Sequence, residues 1–222
     1  MNRAIKLGVF ALTLTGLMHA ADSAEAAFAR IDAAAKSFKG MTADLTNTEH
    51  SALVNQDEVT KGVVKFLRVK ANSMRAVITW NNGSGGLEYN GKEGKRYNAK
   101  TNTVDVVNLS GKQGTVNKYL ALGVGASSEE LKAEFDVTYV GEENVAGQPT
   151  SHLKLVPKTR DASSSLKQAD LWHGENGLVV QQKVSHPSGD YQVMLYSNVK
   201  LGPIPEKELK LQLPKNVTVQ KY

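Results

Sequence analysis

The sequence contains no cysteine. Disulfide bonds, cysteine metal ligands and a thiolate nucleophile are therefore excluded. Prolines number only six, and 22% of the residues are charged against 41% hydrophobic, a balance that excludes a long disordered chain. A chain of 222 residues is long enough to bury one sizeable core, and we expect a single domain.

The sequence also lacks long runs of one charge. Lys and Arg total 27 and Asp and Glu total 22, a formal net charge of +5, and the two signs are interleaved. Because a nucleic-acid site needs basic residues that follow the phosphates, this pattern predicts no nucleic-acid partner. A mildly basic surface is compatible with anionic lipid headgroups.

The first twenty residues have the pattern of a signal peptide. Arg3 and Lys6 precede an apolar run at positions 7–18, and the small residues Ala20 and Ala21 offer two cleavage points. An apolar run of about twelve residues is shorter than the roughly 20 residues of a membrane-spanning helix. We therefore predict a signal peptide at 1–20 and a mature domain at 21–222 in the periplasm. No cysteine follows the signal to carry a lipid anchor, so we expect a soluble form.

An amphipathic helix is predicted at the start of the mature chain. Asp22 and Glu25 have the spacing of a capping box, and Gly40 is placed to end the helix. Apolar residues recur between them at three- and four-residue spacing. These residues are Ala24, Ala27, Phe28, Ile31, Ala34, Ala35 and Phe38.

Beyond this helix the apolar residues alternate, which predicts strands. The first group covers 42–49, 58–70, 73–80 and 86–89, and a second group begins near residue 135. Glycine- and asparagine-rich breaks between the strands suit tight antiparallel turns. A helical insertion separates the two groups, and Ser127 with Glu130 predicts the cap of a short helix within it.

The C-terminal stretch 209–214 is predicted to be an edge strand ended by proline, with a final strand near Val219. Roughly nine to eleven antiparallel strands with one leading helix and one helical insertion predict an α+β fold that is mainly antiparallel β. We expect a single strongly curved sheet, an incomplete β-barrel, whose concave apolar face is covered by the two helical segments as a lid.

Several segments, taken in order and spacing, resemble the periplasmic lipoprotein carrier family typified by LolA. The resemblance covers nearly all of the mature chain. Its segments are the helix with Phe28 and Phe38, residues 62–68 (GVVKFLR), 89–92 (YNGK) before 97–98 (YN), 170–172 (DLW), 177–181 (GLVVQ), 190–191 (DY) and the closing 211–219 (LQLPKNVTV).

The resemblance implies a monomeric carrier without a cofactor. Its partners would be acylated lipoproteins or other lipids, an inner-membrane donor complex and an outer-membrane acceptor protein. A family arginine at the mouth of the cleft, followed by proline, corresponds to Arg68, which is followed here by Val69. Phe28 and Leu120 are the other predicted lid residues. A carrier of another lipid or glycolipid, a lipid-sensing regulatory domain of the same fold and a β module with a filled core remain alternatives.

No motif in the chain predicts catalysis. His50, His152, His173 and His186 have no metal-ligand spacing, and no nucleophile elbow or phosphate loop is complete. The sequence thus predicts a binding protein with no catalytic residue and no metal. The predicted lipid-binding residues are Phe66, Met74, Ile78, Trp80, Tyr89, Phe135, Leu153, Leu155, Val180, Val193 and Leu195. Each assumes a strand parity, and a shift by one residue moves a member to the other face.

Overall fold

The computed structural model describes residues 23–70, 73–110, 122, 124–159 and 165–222. The predicted signal peptide and Leu120 lie outside these ranges. Within them are two α-helices, α1 (Ala24–Ser37) and α2 (Ser128–Glu134), and no helix there has the length and apolarity to cross a bilayer. The strands are β1 (Gly40–Ser51), β2 (Gln56–Lys70), β3 (Ser73–Trp80), β4 (Gly85–Tyr89), β5 (Glu93–Asn98), β6 (Thr103–Asn108), β7 (Phe135–Val145), β8 (Gln148–Pro157), β9 (Gln168–Gly174), β10 (Val179–Ser185), β11 (Tyr191–Leu201) and β12 (Thr218–Lys221).

All twelve strands belong to one sheet, in the order β12-β6-β5-β4-β3-β2-β1-β11-β10-β9-β8-β7. Every neighbouring pair is antiparallel except β12, which runs parallel to β6. Pairing of β1 with β11 joins the two halves of the chain, with Leu45 opposite Tyr196. The sheet is open and curled, so the predicted incomplete barrel is confirmed.

The start of α1 differs by one residue from the prediction. Ser23 is the N-cap, and its hydroxyl accepts a hydrogen bond from the Ala26 amide at 3.1 Å. Gly40 begins β1 instead of ending the helix. A Cβ at this position would lie 2.7 Å from the Gly202 carbonyl oxygen and 2.8 Å from that of Phe66, so close backbone approach explains the glycine.

The cap of α2 is as predicted. The Glu130 amide donates to the Ser127 hydroxyl at 3.2 Å, and the Ser127 amide donates to Glu130 Oε2 at 2.8 Å. This reciprocal capping box satisfies two amides at the start of the helix, which explains why a seven-residue segment is helical at all.

Both helices pack against the concave face of β7–β9. Ile31 of α1 and Leu131 of α2 share a buried cluster with Leu153, Leu155 and Leu171 of the sheet. The side chains of Leu153 and Leu155 are completely buried there. One half of the concave face is therefore filled by helix side chains, as in an ordinary protein core.

The C-terminal segment covers the opposite, outer face of the sheet. Leu209 lies in a 3₁₀ helix (Glu206–Leu209) and packs with Ile204 against Val77 of β3. The Leu211 amide donates to Glu88 Oε2 at 2.8 Å. The edge strand predicted at 209–214 is therefore wrong, because the alternating leucines pack onto the sheet without pairing with it. The final strand is β12.

Candidate functional site

A hollow of about 760 Å³ occupies the other half of the concave face, between β2–β6 on one side and β10–β11 on the other. Its apolar lining is Phe66, Ala76, Ile78, Leu87, Tyr89, Gly94, Val107, Leu109, Leu122, Val184, Met194, Tyr196 and Tyr222. Its polar lining is Glu88, Lys95, Arg96, Asp105, Gln182 and Gln192. We call this space the hollow. Its volume lies within the range of about 300–1,000 Å³ typical of small-molecule sites.

Strand register explains why this half of the sheet is not filled. Phe66, Ala76 and Tyr89 follow one another across β2, β3 and β4, and Gly94 is the next partner on β5. Gly94 has no side chain to place beside the Tyr89 ring. Val107, the partner of Gly94 on β6, is 40% exposed. An apolar side chain therefore borders the empty space at this end of the hollow.

The two helices beside the hollow are tied to each other. Asp32 of α1 accepts a hydrogen bond from the Ser128 amide at 2.6 Å and another from the Ser128 hydroxyl at 2.8 Å. The Lys132 ammonium lies 3.9 Å from the centre of the Phe28 ring. The carboxylate thus meets the first amide of α2, where negative charge is favoured. We call α1, α2 and Val124–Ser127 the lid.

Arg68 connects the lid to the sheet. Its guanidinium donates one hydrogen bond to the Ala35 carbonyl of α1 at 2.9 Å and another to the Gly125 carbonyl. It also lies 5.7 Å from the centre of the Phe38 ring. β2 continues through Val69 to Lys70, with an irregularity in its pairing with β3 between Arg68 and Lys70, and the arginine reaches both parts of the lid. One cation thereby satisfies backbone acceptors on two separate segments.

The charges that line the hollow are paired with one another. Arg96 and Asp105, which face the hollow, lie 2.8 Å apart. Lys95 and Glu88 lie 3.0 Å apart, and their side chains point to the outer face because they alternate with Arg96, Leu87 and Tyr89. Burial raises the pKa of Tyr89 above its usual value. Apart from the Arg96–Asp105 pair, the described side chains that face the space are aromatic, aliphatic and amide groups, which suits an uncharged ligand.

A larger depression of about 920 Å³ lies elsewhere, beside β5, β6 and β12. Its lining includes Arg75, Lys92, Lys210 and Lys221, so it is mostly charged and polar. Because apolar sites with a few convergent polar groups are the usual form of a ligand pocket, the smaller hollow is the better candidate.

The fold recurs in solved structures of low sequence identity. An uncharacterised conserved protein from Thermus thermophilus aligns with a TM-score of 0.55 at 13% identity, over 90% of this chain and 100% of its own. MucB aligns with a TM-score of 0.50 at 15% identity, over 86% of this chain and 66% of its own. A LolA superfamily protein from Nitrosomonas europaea aligns with a TM-score of 0.40 at 11% identity, over 85% and 98%.

The chain shares its overall fold with the Thermus thermophilus protein and with MucB. At these identities the likeness concerns the fold alone. No protein-family model matches the sequence, and no curated protein matches it significantly.

The structure distributes the predicted lipid-binding residues over several places. Phe66, Ile78 and Tyr89 line the hollow. Phe135, Leu153 and Leu155 lie on the same concave face but pack beneath α1 and α2. Met74 and Trp80 belong to the adjoining core around β1–β3. Of the predicted lid residues, Arg68 and Phe28 make the contacts described above, and Leu120 lies outside the described residues.

The three remaining predicted residues belong neither to the hollow nor to these two clusters. Val193 and Leu195 alternate with Gln192, Met194 and Tyr196, the members of β11 that line it. Val193 and Leu195 thus point to the outer face, and the inward parity assumed for them is wrong. Val180 sits at a register shift of β10 and does not appear in the described lining.

Sequence reasoning missed several lining residues, above all Gln182 and Met194. Met194 was overlooked because β11 carries apolar residues on both faces. The sequence pattern therefore does not show which of its side chains point into the sheet's concave side. Gln182 was overlooked because a search for apolar alternation passes over amides. The register signal that places it inside is its pairing with Met194 on β11 and with Leu171 on β9.

Proposed function

We propose that the protein is an exported lipid carrier that shelters acyl chains in the hollow of the curled sheet, beside the lid, and that it catalyses no bond change. One observation carries the proposal: the hollow is roomy and mainly apolar although the neighbouring half of the same face is tightly filled. Lipoproteins are the proposed cargo, carried in the periplasm from the inner to the outer membrane.

The energetics favour such a role. Each methylene removed from water contributes about 0.8 kcal/mol, so a chain of roughly a dozen methylenes represents on the order of 10 kcal/mol of gross transfer free energy. Phe66, Ile78 and Met194 offer this chain a wall of aromatic, branched and thioether groups. Met side chains adapt to mobile ligands because they are unbranched.

The lid supplies a way to admit and release cargo. Ile31 and Leu131 pack the lid onto β7–β9, and the Arg68 hydrogen bonds to Ala35 and Gly125 tie it to β2 beside the hollow. Breaking the Arg68 hydrogen bonds frees the edge of the lid beside the hollow while the packing on β7–β9 stays in place. Transfer then needs an acceptor that binds the cargo more tightly than the hollow does.

Lipid extraction of the protein purified from its native host tests the proposal. Mass spectrometry of the organic extract should reveal acylated molecules from the natural protein. Ala76→Trp places an indole in the hollow and should abolish both the extracted lipid and the uptake of a fluorescent fatty-acyl probe. Thr79→Trp, on the exposed outer face of the same strand, is the matched control and should retain both.

Absence of extracted lipid together with no probe uptake by the natural protein would refute the proposal.

A lipid carrier and a lipid sensor of this fold would differ in their protein partners. A carrier gives up its cargo to acceptor membranes and stays free of a stable protein partner, whereas a sensor keeps one protein partner through loading and unloading. Size-exclusion chromatography of loaded and unloaded protein from host extract separates the two.

A further inference from the structure

Two residues that line the hollow each carry a buried polar atom with no hydrogen-bond partner among the described residues: Tyr89 Oη and Gln182 Oε1. Both side chains line the hollow, with only 6% of Tyr89 and 5% of Gln182 exposed. They come from β4 and β10, which are separated in the sheet order by β3, β2, β1 and β11. The curl of the sheet brings both strands to one space.

Unpartnered buried polar groups are rare because each has lost its hydrogen bonds to water without replacement. Other polar side chains nearby do have partners. Gln192 Nε2 donates to Asn47 Oδ1 at 2.8 Å, and Asn47 Nδ2 donates to Glu49 Oε1 at 2.9 Å. Two unsatisfied atoms in one ligand-sized space therefore indicate partners that arrive with a ligand.

The chemistry of the two atoms defines those partners. Gln182 Oε1 accepts hydrogen bonds only, while its Nε2 already faces Met194 Sδ at 3.7 Å. Tyr89 Oη can donate a proton to a ligand oxygen, and burial raises its pKa, so it stays a neutral phenol. The ligand must then bring a donor for Gln182 and an acceptor for Tyr89.

A charged ligand group does not fit this lining. The ionised side chains that face it, Arg96 and Asp105, are already paired with each other at 2.8 Å. Burial of an extra carboxylate, phosphate or ammonium without a counter-charge is strongly unfavourable. A neutral group that both donates and accepts, a hydroxyl or a secondary amide, has the chemistry to satisfy either atom.

We propose that Tyr89 and Gln182 form a polar subsite that binds the hydroxyl or secondary-amide group of an acyl-chain ligand inside the hollow. The inference rests on the proposed lipid-carrier function. It narrows the cargo to chains that carry a neutral hydrogen-bonding group among their methylenes, in preference to plain hydrocarbon chains.

Competition binding with matched ligand pairs tests the subsite. Each ligand displaces a fluorescent fatty-acyl probe from the full protein. N-dodecylacetamide and its N-methyl analogue differ in the amide donor, and 1-dodecanol and its methyl ether differ in the hydroxyl donor. In at least one pair we expect the donor-bearing member to bind about 3- to 10-fold more tightly, the usual effect of one hydrogen bond. The pair that discriminates identifies the source of the group.

Variants assign the effect to the two side chains. Gln182→Met should bind both members of the discriminating pair equally, because the acceptor is gone. Tyr89→Phe should weaken both members alike by a similar factor, because both retain the acceptor oxygen. Gln181→Met is the matched control, since Gln181 pairs with the outward-facing Leu195, and it should keep the full discrimination.

The outcomes separate this inference from the function on which it rests. Probe binding by the natural protein with no discrimination in either pair overturns the subsite and leaves the carrier intact. Discrimination that persists in Gln182→Met also overturns it. Failure of the natural protein to bind the probe overturns the carrier proposal and the subsite together.

Discussion

The Arg68 guanidinium and the Ala35 carbonyl, 2.9 Å apart, join the sheet to the last turn of α1. The C-terminal carbonyls of a helix have no partners within the helix, so a cation there both satisfies an acceptor and meets the negative end of the helix dipole. The second hydrogen bond to Gly125 extends the same link to the segment before α2.

Loss of Arg68 should loosen the lid. We expect Arg68→Leu to lower the free energy of unfolding by about 1–3 kcal/mol, because buried carbonyls lose a charged donor. Release of a bound fluorescent acyl probe to lipid vesicles should accelerate in parallel. Denaturant unfolding and stopped-flow fluorescence measure the two effects.

Arg75→Leu is the control for this prediction. Arg75 forms an ion pair with Glu206 at 2.9 Å on the outer side of β3, and such half-exposed pairs contribute about 1 kcal/mol or less. Its loss should leave probe release unchanged. Equal acceleration in both variants would show that Arg68 acts through general stability and not through the lid.

The faces of β11 can be distinguished by chemical labelling, because the chain has no native cysteine. In Met194→Cys the thiol lines the hollow, so loading with a fatty-acyl ligand should slow its reaction with a maleimide several-fold. In Leu195→Cys the thiol lies on the outer face, and loading should not alter its rate. Protection of position 195 instead of 194 would contradict the register of β11.

The sequence predicts features that depend on neighbouring residues, such as a helix cap, better than features that depend on pairing between distant strands. The Ser127–Glu130 capping box needs only a spacing of three residues, and the structure has it. The faces of Val193 and Leu195 depend on pairing with Thr48 and Thr46 across the sheet, which alternation in one strand does not encode.

The C-terminal leucines show the same limit. Alternating Leu209 and Leu211 have the period of a strand, yet hydrophobic contact with Val77 and Leu67 buries their apolar surface without a ladder of hydrogen bonds. The openness of the hollow was equally out of reach, since it depends on Gly94 lying beside Tyr89 and on helices that fill only the other half of the face.

Tyr89→Phe should stabilise the ligand-free protein. Removal of a buried hydroxyl that has no partner in the described structure relieves its desolvation cost, so we expect the free energy of unfolding to rise by about 1 kcal/mol. Tyr97→Phe supplies the opposite case, because the Tyr97 hydroxyl lies 3.3 Å from Asn102 Oδ1 and its loss should destabilise by about 1 kcal/mol. Destabilisation by both variants would mean that Tyr89 is satisfied without ligand.

His173 is buried at the β9–β10 turn, below α1. Its Nδ1–H donates to the Gly177 carbonyl at 3.0 Å, and a Cβ on Gly177 would lie 2.2 Å from the Arg30 carbonyl oxygen, which shows how closely the turn meets the helix. Burial, reinforced by the charge of Arg30, lowers the pKa of His173 to about 4, while the hydrogen bond to Gly177 opposes this shift. The imidazole is therefore neutral in the folded protein at neutral pH.

Acid should destabilise the protein through His173 before it protonates most carboxylates. The unfolded chain binds a proton at this histidine near its ordinary pKa of about 6.5 and the folded one only near pH 4, so folding stability falls as pH drops between these values, by up to about 3 kcal/mol. Urea unfolding from pH 7.5 to 4 measures the slope. His173→Asn keeps an amide donor for Gly177 without titrating, and its stability should depend less on pH over this interval. An identical slope in both proteins would show that another group controls the acid response.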